Sequence, residues 1–154
     1  MRTRRYLAAV AVIFLAGLLA ERASADVGVP LPAIMPVVIH ESCPAPEGTS
    51  CTWPGGPIYL DPEWGDRFTY WHELGHAFDY QEMDDGDRAA FMRLIRHPGP
   101  WRSPPDSAHE QFAEAYALCA LRVRPRWGRI RGGAGYEPRP AVHHRVCTLI
   151  RGAQ

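Results

Sequence analysis

Two histidines four residues apart, with a glutamate directly after the first, constrain this chain more than any other feature: His72-Glu73-Leu74-Gly75-His76. The spacing has chemical meaning only on a helix. At about 3.6 residues per turn, His72 and His76 stack on one face and can aim a ring nitrogen each at a single ion. Glu73 lies about 100° round the axis, near enough to reach a water on that ion without displacing it. A bound Zn²⁺ lowers the pKa of such a water to about 7, and the adjacent glutamate can take its proton. The pattern points to hydrolysis. The plain alternative is a pair of surface histidines beside an unrelated carboxylate.

The surrounding residues fit a helix over about 67–82. Phe68, Trp71, Leu74, Gly75 and Phe78 fall together on the face away from Glu73, giving an apolar back and a ligand-bearing front. Gly75 costs about 1 kcal/mol against alanine in a helix, so a glycine here is expected where another element approaches closely. A weak helix is the duller explanation.

A catalytic zinc site takes three protein ligands and leaves the fourth position to water. A third histidine six residues after His76, with a glycine between, would make a metzincin. Those positions are Asp79 and Glu82, which excludes that class. The better source is the helical stretch from Ser107 to Ala120. There Glu110 and Glu114 share one stripe, and Phe112, Ala115, Tyr116 and Cys119 lie on the other side. Two carboxylates on an otherwise apolar helix are costly unless a cation faces them. Glu110 is therefore taken as the third ligand, and Glu114 as the carboxylate that orients a ligand histidine through its other nitrogen. Ser107 and Glu110 also make a capping box, which remains the competing account of Glu110. His109 is the reserve ligand, expected as a surface or cap residue because it points about 100° away from Glu110.

His72-Glu73-Leu74-Gly75-His76 followed by Glu110-Gln111-Phe112-Ala113-Glu114-Ala115-Tyr116 resembles the gluzincin arrangement, and is similar to the catalytic domain of the anthrax lethal factor and its relatives. The resemblance covers about residues 57–120. It implies His72, His76 and Glu110 as zinc ligands, Glu73 as base and Glu114 behind them. Those relatives also place a tyrosine just upstream of the ligand glutamate as an electrophile, and Trp101 to Asp106 contains none. A preorganised donor to the carbonyl oxygen typically contributes about 10²–10³ in rate. Tyr136 is favoured for that role and His143 next, against the ordinary alternative that Tyr136 packs on Pro138.

Residues 1–25 read as a secretory signal: Arg2, Arg4 and Arg5, an apolar run from Leu7 to Ala20, then Ala23-Ser24-Ala25. The run is shorter than the roughly 20 residues a spanning helix needs; an uncleaved anchor is the alternative. Cleavage takes four arginines and Glu21 from a chain with 17 basic and 17 acidic residues, leaving a net charge of about −3. That argues against nucleic acid as a partner. Residues 26–154 make one domain of ordinary size, expected to act as a monomer, off the membrane, on a protein or peptide substrate. Four cysteines in an exported chain imply two disulfides. Cys43 with Cys51 and Cys119 with Cys147 are preferred, and no C-x-x-C spacing favours a second metal site.

Pro36–His40 and Pro57–Asp61 read as short strands. The second, just before the zinc helix, is expected as the edge along which a peptide could add. Asp84 to Asp87 should cap a helix over about 88–97, a better account than a calcium loop. The arginines from Arg122 to Arg131, with Trp127 among them, read as a solvated loop before an acidic-polymer site. A last helix is expected over about 140–151, with Val142, Val146, Leu149 and Ile150 inward. The expectation is a secreted, minimal α+β zincin: a small mixed or antiparallel sheet on the zinc helix, with the Glu110 helix opposite. Its activity would be zinc-dependent peptide hydrolysis. A zinc module without turnover and an amidase acting on cell-wall material are the alternatives.

Overall fold

The computed structural model describes residues 28–44, 50–102, 107–123 and 133–153. The segment read as a secretory signal, the tip of the Cys43–Cys51 loop, Ser103 to Asp106 and most of the arginine run lie outside these residues. The element order is β1 (Val38–Ile39), β2 (Ile58–Tyr59), α1 (Arg67–Glu82), α2 (Asp85–Ile95), α3 (Ala108–Ala120) and α4 (Pro140–Gly152). Helices with a small sheet make this an α+β architecture. No helix among the described residues is long and apolar enough to cross a membrane.

The first three helices start where the sequence supplies a side-chain cap. The Asp66 side chain accepts from the Thr69 N–H, Asp84 from Asp87 and Ser107 from Glu110, each satisfying a backbone donor that the helix leaves open. α4 has no side-chain cap and begins instead with Pro140, whose fixed φ suits the first turn. α2 starts at Asp85, three residues earlier than its acidic cluster predicted, because Asp84 alone is the cap.

The strands pair in parallel, Val38 opposite Ile58 and Ile39 opposite Tyr59. Ile58 and Leu60 donate to the Val37 and Ile39 carbonyls, both at 2.8 Å. On its other side Tyr59 exchanges both backbone bonds with Cys51, at 2.8 and 3.0 Å, in an antiparallel bridge. β2 is therefore central and not the free edge that the sequence predicted. The Cys43–Cys51 disulfide anchors Cys51 at this position, so the outer place beside β2 falls to the segment around Cys51 and Thr52. Asp61 then turns the chain into α1, its carboxylate accepting from Ser42 Oγ (2.6 Å) and from the Glu63 and Trp64 N–H groups (2.9 Å each). A Cβ at Gly65 would run into the Asp61 carbonyl.

The core forms where α1 meets α3. A Cβ on Gly75 would lie 3.0 Å from both Ala113 Cα and Tyr116 Cβ, so the glycine marks close approach of the two helices, as expected. Leu74, Phe78, Phe112 and Tyr116 fill the contact, each large apolar side chain worth about 1.5–3 kcal/mol on burial. The Tyr116 hydroxyl donates to the Pro30 carbonyl at 2.6 Å. Val146 and Ile150 of α4 are fully buried, with Val142 and Leu149 packed at the margin. The second disulfide, Cys119–Cys147, ties α4 to the end of α3. Both bridges are those that the cysteine spacing favoured.

Candidate metal centre

α1 presents His72 and His76 one turn apart, and α3 brings Glu110 across from them. His72 Nε2 and His76 Nε2 are 3.2 Å apart, and Glu110 Oε2 lies 3.2 Å from the first and 3.4 Å from the second. The fit to an ion can be tested on these edges. Zinc bonds of about 2.0–2.1 Å in tetrahedral geometry separate ligand atoms by about 3.3–3.4 Å. The three donors match that triangle. Two nitrogens and one carboxylate oxygen also form a donor set that zinc accepts readily. The Glu110 carboxylate, 44% exposed, leaves the group open on its solvent side. Its turn toward the histidines also decides its role in the capping box, where only its backbone N–H is used, donating to Ser107 Oγ at 3.3 Å.

The electrostatics follow from packing two acids against two rings. Burial alone would depress His72, but Glu110 and Glu114 outweigh it and push its pKa up to about 9. His76 lies deeper, and burial drives it down to about 4 in spite of the same Glu110. Glu110 is held far below the usual carboxylate range by His109, His72 and His76. Glu114 is buried, with one oxygen 3.6 Å from His72 Nδ1 and the other accepting the Gly133 N–H at 3.0 Å. It therefore sits behind His72, where an orienting carboxylate would sit.

Glu73 is buried beside this group, and burial pushes its carboxyl up to about 7. The charge of Glu110 adds to that rise, while His72, His109 and the backbone N–H of Thr52 oppose it. Thr52 thus brings the outer segment of the sheet against the glutamate. Helix α1 differs from a simple amphipathic helix in this region. Its front is buried as well as its back, because α3 packs over the histidines.

Two neighbours, Asp79 and Tyr80, were not singled out by sequence reasoning, and a third, His109, sits elsewhere than expected. Asp79, one turn beyond His76, is fully buried and accepts from Arg88 Nε at 2.8 Å and Trp101 Nε1 at 3.2 Å. Its signal was available: at about 100° per residue Asp79 falls about 20° from His72, on the same side of the helix as the two histidines. Tyr80 stacks near His76 and His109, with centroids at 6.5 and 5.5 Å, and carries Arg102 over its ring at 5.0 Å. Burial pushes its hydroxyl up, Arg102 opposes that rise, and Asp79, Glu110 and Glu73 add to it. His109 is not the surface residue expected. It is buried against His76, because its 100° offset on α3 turns it toward α1 and not toward solvent.

Tyr136 is not brought to this group. It is 1% exposed, stacks on Phe91 with centroids 6.3 Å apart, and bonds His143 Nδ1 at 3.1 Å. It packs into the core through α4, and burial pushes its hydroxyl far up. His143 is buried with it and pushed down to about 4 by burial. A second set of donors, Cys119, His143 and Cys147, lies close together, but both sulfurs are consumed in the disulfide. Compared with family models, curated proteins and solved structures, the chain matches none.

Proposed function

We propose that the chain is an exported zinc-dependent peptidase of gluzincin type, with a minimal zincin-like fold. His72, His76 and Glu110 hold the ion, and Glu73 is the general base. The observation that carries this reading is the donor triangle with tetrahedral edges and the buried Glu73 beside it. Zinc in that position supplies a Lewis acid for the substrate carbonyl and an acidified water. Glu73 accepts the proton of the attacking water and returns it to the leaving amine, a role suited to a carboxyl near neutrality. Glu114 fixes the ring of His72. The peptide lies along Thr52 and Trp53, since β2 is already paired on both sides. With Tyr136 in the core, Tyr80 is the better source of a donor to the carbonyl oxygen. The two disulfides fit an oxidising compartment.

The test is a zinc titration followed by cleavage of a broad peptide mixture. Wild-type protein should bind one zinc and cut. Glu73→Gln should keep the zinc and lose cleavage, by about 10²–10⁴ if the base acts as general bases usually do. Glu110→Ala should lose much of the zinc affinity. Wild-type affinity in Glu110→Ala would remove the gluzincin assignment.

A further inference from the structure

His76 has a second nitrogen to satisfy. An ion on its Nε2 leaves the ring proton on Nδ1, and a buried N–H without an acceptor costs about 1–3 kcal/mol. Nδ1 lies 3.1 Å from Nε2 of His109. The two rings are in tilted contact, with centroids 4.2 Å apart and planes at 31°. His109 is held on its other sides. Its backbone N–H donates to the Trp101 carbonyl at 2.9 Å, and its ring packs against Tyr80 and Trp101, with centroids at 5.5 and 6.3 Å.

We propose that His109 is the positioning residue of the metal centre, the acceptor that holds His76 with its Nε2 turned toward Glu110 and His72. The proposal rests on the zinc reading above. One competing contact has to be reconciled with it. His109 Nε2 is also 3.3 Å from Asp79 Oδ2, and a single ring nitrogen cannot accept from His76 and donate to Asp79 together. Asp79 does not need it. Arg88 Nε serves Oδ1 and Trp101 Nε1 serves Oδ2. With His76 donating, His109 therefore carries its own proton on Nδ1, the nitrogen 3.7 Å from Glu110 Oε1. Asp79, Arg88 and Trp101 then form the wall against which His109 is set. Glu114 stands behind His72, and His109 behind His76, so each ligand ring has its own partner on α3.

The experiment compares zinc affinity, by competition with a chromophoric chelator, in wild type, His109→Leu and His109→Gln. His109→Leu removes the acceptor and should weaken zinc about 10–100-fold, the usual loss when such a partner is removed. His109→Gln supplies a carbonyl oxygen and should bind within about threefold of wild type. Cobalt substituted for zinc should show an altered visible spectrum in His109→Leu and a restored one in His109→Gln. If His109→Leu does not fold, His109→Phe keeps a ring against Tyr80 and Trp101 and replaces it. Wild-type affinity in the variant without an acceptor overturns the proposal, as does equal weakening in His109→Gln. Absence of zinc binding in wild type would instead remove the metal reading itself, and this one with it.

Discussion

Glu73 stands in an environment that opposes its charge. Burial and the neighbouring Glu110 push its carboxyl up to about 7, so in the metal-free protein its ionisation costs stability. The cost sets in as pH rises from the unfolded value of about 4.5 and is complete above about 7. Glu73→Gln should therefore stabilise the metal-free protein at pH 8, by about 1–3 kcal/mol, while abolishing cleavage. Thermal melts with and without zinc check it, and a lower Tm in the metal-free variant would contradict the account. His72 has the reverse sign. Its pKa is raised from 6.5 to about 9, so its pairing with Glu110 and Glu114 stabilises the metal-free protein fully below pH 6.5 and is lost through pH 9. On the proposed reading, zinc would have to displace that proton. Its affinity should rise about tenfold per pH unit across the same window, which isothermal titration at several pH values would measure.

At the scale of elements, the centre exists because α1 and α3 come close enough for two histidines to face a glutamate. Gly75 permits that approach. Two effects oppose each other in Gly75→Ala. Alanine gains about 1 kcal/mol of helix propensity, but its Cβ would meet Ala113 Cα and Tyr116 Cβ at 3.0 Å. These are a helix backbone and a fully buried ring stem, with little freedom to move. Overpacking of this kind typically costs about 1–3 kcal/mol, so the substitution should destabilise on balance. It should also weaken zinc by widening the gap between Glu110 and the histidines. A stabilised Gly75→Ala protein with full zinc affinity would mean that α3 can shift freely. The strands follow the same logic of neighbours. β2 looked like an edge because its own residues say nothing about which chain segments flank it. The disulfide supplied the second flank.

For the whole molecule, the two disulfides have different work. Cys119–Cys147 closes a separation of 28 residues and anchors α4 to the helix that carries Glu110 and Glu114. Its replacement by a pair of alanines should cost on the order of 3 kcal/mol, a fall in Tm of roughly 10 °C for a domain of this size, with weaker zinc binding. Cys43–Cys51 closes only 8 residues but holds Cys51 against Tyr59, and with it Thr52 against Glu73. Its removal should leave zinc affinity near wild type and reduce peptide cleavage instead. Parallel measurement of Tm, zinc affinity and cleavage in the two double variants separates these roles. Equal effects of both on zinc would show that the sheet segment supports the ligands directly.

The sequence by itself determined the parts that depend on local geometry. His72 and His76 share a face because of helical period, the caps at Asp66, Asp84 and Ser107 follow from side-chain chemistry, and Glu110 was legible because a stripe of carboxylates on an apolar helix needs a cation. Cysteine spacing was enough to favour the two pairings. Tertiary structure alone decided the rest. Whether His109 faces solvent or His76 depends on the rotation of α3 against α1, which no period within α3 records. Tyr136 lies four residues before α4, and its fate was set by how that helix docks on the core. Asp79 was passed over, since its hydrogen-bond partners Arg88 and Trp101 come from two other segments. Local interactions fix which face a residue occupies on its own element; only long-range packing fixes what that face meets.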